Sequence, residues 1–262
     1  MIKLAKLYKD EELLALRVTG VNAAYINALR RYMSSRVPTM AIDSVEFKTN
    51  SSILYDEVIA HRLGLIPLKT DLKSYNLPKT EWKEPTGDPR VEVQLTLKVP
   101  KVKQETIVRA KDFETKDKKI IPVHDQMPIV KLLEGQDLQL IATARLGLGE
   151  DHVKWCPAHV WHRHYPHIKI KKQPKNPETI AEAYPEVFEI KAKKLALKKD
   201  AAYRLPDVEL GIEGIEVTYK DDDYILTIES WGQLDPKTIV TEALKAYDDQ
   251  LDEFVKLSKK VK

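Results

Sequence analysis

The sequence predicts an α+β fold in which a strand-and-helix N-terminal segment and a long C-terminal helix bracket a β-rich insertion. Three observations predict it. Val91, Val93, Leu95, Leu97 and Val99 alternate with Glu92, Gln94, Thr96 and Lys98, the period two of a strand with one wet face. Two helical segments carry boundary residues at both ends, at 22–38 and 56–67. Near the C-terminus, Val240, Leu244, Tyr247, Leu251, Phe254, Ser258 and Val261 recur at spacings of 4, 3, 4, 3, 4 and 3, the seam of a helix packed along another helix.

Taken in order, Leu14, Leu16 and Val18 alternate with Leu13, Ala15 and Arg17 before Thr19-Gly20 breaks the strand. Asn22 can cap a helix reaching about Arg36, where Val37-Pro38 stops it. Val21, Tyr25, Leu29 and Tyr32 form one apolar line on that helix, flanked by Ala24 and Ala28, with Ile26 and Met33 beside them, which implies contacts on two sides. The second helix starts with Asp56 and Glu57, favourable at its positive end, and stops at Gly64, placed for a left-handed cap, with Pro67 just beyond. The strand over Val91–Val99 and a less regular one over Leu138–Ala144 flank a Lys-rich stretch interrupted by Pro100, Pro122 and Pro128, expected to form loops and short edge strands. Residues 41–150 thus read as a β-rich unit of their own. Residues 169–207 are basic and punctuated by proline, a small appended module or solvated hairpin. Ile215–Tyr219 and Tyr224–Ile228 flank Lys220-Asp221-Asp222-Asp223 and read as a hairpin with a polar turn. Asp235 as N-cap and Pro236 at the first helical position then open a helix about 40 Å long, more than a small domain usually covers.

Composition excludes several classes of function. The chain has 262 residues, a net charge of +3 and one cysteine, so a disulfide or a four-thiolate cluster within it is ruled out and a reducing compartment is expected. No apolar run approaches the ~20 residues that cross a bilayer, and no secretory leader is evident, so a soluble, cytoplasmic protein is expected. With nine glycines there is neither a Walker motif nor GxGxxG; Gly147-Leu148-Gly149 reads as a plain turn.

Three groupings could carry chemistry. Cys156, His159 and His162 are spaced as C-x2-H-x2-H with His164 and His167 close by, but residues three apart on a strand face opposite ways, so no metal is expected there. Glu57 and His61 lie one helical turn apart with no nucleophile motif beside them, the pattern of a surface contact rather than of catalysis. The lysines of 169–199, with Tyr184 and Phe188, read as a solvated face; the alternative is a stand-alone single-strand nucleic-acid or metal-binding protein using residues 152–199.

Asn27-Ala28-Leu29-Arg30-Arg31, Val37-Pro38-Thr39-Met40-Ala41-Ile42, Asp56-Glu57, His61-Arg62-Leu63-Gly64-Leu65-Ile66-Pro67-Leu68, His152-x-Lys154-Trp155-x-Pro157 and Glu229-Ser230-x-Gly232-x-Leu234-x-Pro236 occur in that order along the chain. Together they resemble the alpha-like subunits of cellular DNA-directed RNA polymerases. The archaeal form is the most similar, the counterpart of the third subunit of eukaryotic polymerase II and of the N-terminal domain of bacterial alpha. The resemblance implies a discontinuous dimerisation domain (a sheet plus two helices) formed by 1–40, 153–168 and 212–262, interrupted by an inserted β-rich domain over 41–152. It implies a heterodimer with the small subunit L, with Tyr25, Asn27, Ala28, Leu29, Tyr32, Val240, Leu244, Tyr247, Leu251 and Phe254 in or near the contact. The zinc-bearing small subunits N and P would join this pair, and the two large catalytic subunits would settle on it, with Arg30, Arg31, Asp56, Glu57, His61 and Arg62 as candidate contacts. Two-metal nucleotidyl transfer belongs to the large subunits, so no catalytic residue, no membrane contact and no direct sequence-specific nucleic-acid binding is implied for this chain. Many archaeal members carry a ferredoxin-like module with iron–sulfur clusters. Here Tyr184-Pro185-Glu186-Val187-Phe188-Glu189-Ile190 and Lys194-Leu195-Ala196-Leu197 resemble part of it, yet no cysteine follows Cys156, so 169–211 is expected to be a remnant without a cluster.

Overall fold

A computed structural model describes residues 1–78, 87–199, 201–205 and 211–260. The chain divides into two compact units, Met1–Arg30 with Val160–Ile228, and Arg31–His159 with Glu229–Lys262. The terminal helix lies in the same unit as the β-rich segment, and residues 169–211 lie within the first unit.

In the first unit β1 (Lys3–Lys9) pairs antiparallel with β2 (Leu13–Thr19). Asp10 makes the turn between them, its Oδ1 accepting from the backbone N–H groups of Glu12 and Leu13. Helix α1 (Ala23–Ser35) follows, its residues to Arg30 in this unit and those from Arg31 in the second, with Asn22 Oδ1 accepting from Tyr25 N at 2.9 Å as the expected cap. Its buried face is Ile26, Leu29 and Met33, whereas Tyr25, Ala28 and Tyr32 are half-buried and Asn27 is exposed.

The second unit is organised by β3 (Thr39–Asn50), α2 (Asp56–Gly64), β4 (Glu92–Val99), β5 (Thr106–Arg109), β6 (Phe113–Thr115), β7 (Pro128–Leu132) and β8 (Leu138–Gly147). Four strands form a sheet in the order β3-β8-β4-β6, and β5 pairs with β7 separately. The period-two strand keeps Val93, Leu95 and Leu97 buried among Leu138, Leu140, Ala142 and Ala144, while Ile59 and Leu63 of α2 close the same core. At about 1.5–3 kcal/mol for each large apolar side chain, this core is the main source of the unit's stability. Gly64 is not a left-handed cap: α2 includes it, and Leu65 closes the helix in the right-handed region at φ −89°. The last turn is satisfied instead by Leu65 N and Ile66 N donating to Arg62 O and Leu63 O.

The chain returns through β9 (Ala158–His164), β10 (His167–Ile170), α3 (Pro177–Ala183), β11 (Phe188–Lys191), β12 (Lys194–Leu197), the short α4 (Ala201–Arg204), β13 (Ile215–Thr218) and β14 (Asp223–Ser230). The expected 215–228 hairpin does not form. β13 pairs with β10, whereas β14 joins the sheet β1-β2-β14-β9. The reason lies at Asp223, which belongs to the strand and not to a turn: its carboxylate is 3% exposed and takes both Arg17 Nε (2.9 Å) and Nη2 (2.6 Å). Such a bidentate pair fixes β14 beside β2, which carries Arg17. The 167–218 stretch nevertheless has its own small core of Val187, Phe188, Leu195, Ala201 and Leu205.

Helix α5 (Pro236–Ser258) is the final element, about 35 Å long. Asp235 caps it as expected, Oδ2 accepting from Lys237 N and Thr238 N. Val261 of the expected seam lies outside the described residues. Among the described residues no helix is long and apolar enough to cross a membrane.

Candidate assembly surfaces

The sequence motifs resolve into a scaffold and the surfaces it presents. Trp155, buried on a 3-10 turn (Val153–Trp155), is the hub of the scaffold in the second unit. Its indole N–H donates to Arg145 O, and its own carbonyl accepts from Thr39 Oγ1 at 2.6 Å. Lys154 Nζ sits 4.3 Å from the ring centroid and 2.6 Å from Asp43 Oδ1, and Arg145 Nη2 holds Asp43 Oδ2 at 2.7 Å. Gly147 is glycine because a Cβ there would fall 2.3 Å from the indole. The Gly147-Leu148-Gly149 stretch leads into the expected turn, Asp151 N donating to Leu148 O at 3.0 Å, and close approach is a second constraint on its first glycine. The Lys154-Trp155 pair ties the start of β3 to the end of β8.

The segment Glu229–Pro236 works similarly. Ser230 Oγ donates to Leu234 O at 2.6 Å and accepts from Gly232 N at 3.0 Å, making the tight turn from β14 into α5. Gly232 has φ +84°, and any Cβ would meet Val123 at 2.4 Å. Trp231 N donates to Pro157 O, joining this motif to the preceding one.

On α5 the buried residues are Pro236, Ile239 and Ala243, all in its first half. From there the apolar side chains face outward: Leu244 is 39% exposed, Leu251 47%, Phe254 70% and Leu257 52%. Val240 and Tyr247 are half-buried. Tyr247 packs edge-on to Tyr32 with ring centroids 4.7 Å apart, and Tyr32 Oη also bonds to Gln250 Oε1, so the end of α1 is anchored to the middle of α5. The expected contact residues therefore fall into two groups. Leu244, Leu251 and Phe254 lie on the open stripe with Val255 and Leu257, which the 4-3 spacing did not include. Leu29, at 7% exposure, is used within the chain.

Asp56, Glu57, His61 and Arg62 are all exposed on the outer face of α2. Asp56 Oδ1 accepts from Asn50 Nδ2, and Arg62 Nη2 donates to Pro128 O at 2.9 Å. Arg30 bonds through Nε to Asn27 Oδ1 at 3.0 Å and is half-buried, while Arg31 is exposed.

The histidines do not converge. Among the described residues no group of three His, Cys, Asp or Glu side chains is placed to hold a metal. His152 Nδ1 accepts from Lys154 N as the cap of the Trp155 turn, His164 Nδ1 meets Lys220 O, and His167 Nε2 lies 2.8 Å from Asp223 Oδ2. Cys156 donates to Ala158 O, and burial pushes its thiol up, away from the reactive thiolate. Burial raises the Asp223 carboxyl, but Arg17 and then His167 more than offset this and hold it below the ordinary range. This Arg17–Asp223–His167 group was not foreseen. Its one signal is an arginine in the alternation of an otherwise apolar strand.

Comparison with known proteins agrees with the motifs. Residues 45–157 match the model of the RNA polymerase Rpb3/RpoA insert domain. The DNA-directed RNA polymerase subunit Rpo3 of Pyrococcus furiosus is 34% identical over 97% of this chain and 96% of its own. The protein of that name from Pyrobaculum calidifontis is 36% identical over 91% and 89%, and that from Methanosphaera stadtmanae 33% over 94% and 95%. The chain belongs to the Rpo3 family of RNA polymerase subunits. It is therefore one part of a multisubunit polymerase and not a catalytic chain of it. The insert domain is the β3–β8 unit with α2, and the Trp155 hub lies at its end.

Proposed function

We propose that this chain is the assembly subunit that pairs with a small subunit L and offers the pair as the platform on which the two large catalytic subunits settle, with subunits N and P joining them. One observation carries the reading: the apolar stripe Leu244, Leu251, Phe254, Leu257 on α5, exposed in a chain of the Rpo3 family. Exposed leucine and phenylalanine at helical spacing are worth burying at about 1.5–3 kcal/mol each, and a second helix is the surface that fits them. In this reading 1–40, 153–168 and 212–262 act as one discontinuous dimerisation domain, with Tyr25, Asn27 and Ala28 contributing to the same contact and Leu29 supporting α1 from within. The exposed Arg31, Asp56, Glu57, His61 and Arg62, with Arg30, would meet the large subunits. The 169–211 module would be a remnant without an iron–sulfur cluster: its donor set does not fit one, since Cys156 is the only thiol in the chain.

Co-expression with subunit L tests the reading. A soluble 1:1 complex is expected, with the chain alone poorly behaved. A monodisperse monomer with no affinity for L would overturn it.

A further inference from the structure

The charge of this molecule is unevenly placed. Residues 167–199 contain nine lysines and four glutamates, whereas the whole chain carries only +3, so everything outside this stretch is net negative. All nine lysines are exposed. Two are paired, Lys171 with Glu216 and Lys191 with Glu189. The remaining ammonium groups have no carboxylate within ion-pair distance among the described residues.

These charges border a cleft. Arg17, Tyr165, His167, Lys169, Lys198 and Lys199 line a cavity of about 270 Å³, and among the described residues no carboxylate is part of its lining. Its Arg17 is held by Asp223 on one side and lies 3.8 Å over the Tyr165 ring on the other. The hairpin beside it tolerates two local costs. Lys191 and Lys194 stand directly opposite in register, a like-charge pair, and the turn between them puts Ala192 and Lys193 at φ 50° and 62°, where Asn-Gly is favoured. Ammonium groups are kept at this tip against the local preference of both strand and turn.

We propose that the 167–199 module is a sequence-independent docking surface for the phosphate backbone of duplex DNA. Lysines are compact point charges suited to phosphate, and backbone binding needs charge density without an apolar anchor. An acidic protein segment would want such an anchor, and the only large apolar side chain exposed on the hairpin is Ile190. A single strand would want exposed aromatic faces. Phe188 is 1% exposed and Tyr184 packs edge-on against it in the module's core, so the stacking platform is missing. Membership of a DNA-handling assembly supplies the duplex.

The test is fluorescence anisotropy of the full chain with a labelled mixed-sequence duplex across a salt series. Binding at 50 mM salt is expected to weaken with a log–log slope near −3 or steeper. Changing Lys169, Lys198 and Lys199 together to Gln should lower affinity at least about tenfold and flatten the slope by about 3. The same change at Lys98, Lys101 and Lys103, exposed lysines of the insert domain, should alter neither. No duplex binding at 50 mM salt, equal binding by the two triple variants, or tighter binding of single-stranded DNA or polyglutamate at matched salt would each overturn the proposal. Should the first triple variant show a lowered thermal midpoint, Lys172→Glu with Lys175→Glu asks the same question on a separate segment.

Discussion

The insert-domain sheet and the terminal helix use the same apolar vocabulary to opposite ends. In the sheet, Val93, Leu95, Leu97, Leu138 and Leu140 are buried within the domain that carries them. In α5, every residue from Leu251 to Ser258 is exposed, although leucine, valine and phenylalanine recur there at helical spacing. The first region satisfies its hydrophobic residues internally and owes its stability to itself. The second leaves them in water, and its cost is recovered only when another surface covers it. A substitution should therefore have separable effects on folding and on assembly according to the region it enters.

The largest effect should break the sheet side. Trp155→Ala removes the indole that donates to Arg145 O and packs against Lys154 Nζ, leaving the Thr39 bond to the backbone carbonyl in place, and should lower the stability of the chain by about 3–5 kcal/mol in a urea titration. A loss under 1 kcal/mol would show that the hub does not hold the insert. The helix side should break differently. Leu244→Asp with Leu251→Asp changes the isolated chain by less than about 0.5 kcal/mol, because both are exposed, yet should weaken pairing with subunit L by two orders of magnitude or more. Co-purification yield and calorimetry check this; retained affinity would move the interface elsewhere. Glu57→Ala should be milder, leaving the pairing intact and lowering capture of the large subunits in a reconstitution assay by less than tenfold. The smallest effect sharpens the contrast by lying in neither region. Burial first, then Arg30 and His164, hold the His162 imidazole below its ordinary range. Its unfolded form binds the proton more readily, so the associated stability is fully present above about pH 6.5 and is lost as pH falls from there through the lowered folded value. His162→Phe should flatten thermal midpoints between about pH 5 and 7.

What was legible in the sequence was local. Asn22 and Asp235 marked true helix starts because a cap needs only the next three residues, and the alternation from Val91 to Val99 marked a true strand because one face is wet. What was not legible depended on distant partners. The pairing of β13 and β14 with separate sheets turns on Asp223 meeting Arg17, more than two hundred residues away. Gly64 read as a cap, but the helix closes at Leu65, and the close approach of an indole eight residues on to Gly147 was not visible in the turn pattern. On the helix, the 4-3 spacing found Leu244, Leu251 and Phe254 and missed Val255 and Leu257. The exposed band is wider than a coiled-coil seam.

The pairing of Thr39 with Gly147 means that the polypeptide enters and leaves the insert through adjacent, hydrogen-bonded positions. To the residues on either side, the hundred-odd positions in between are equivalent to a hairpin turn. Changes of length at its far end therefore leave Thr39 and Gly147 in register, whereas removing the whole domain would also take Asp43 and Arg145 from around Trp155 and Val123 from beside Gly232.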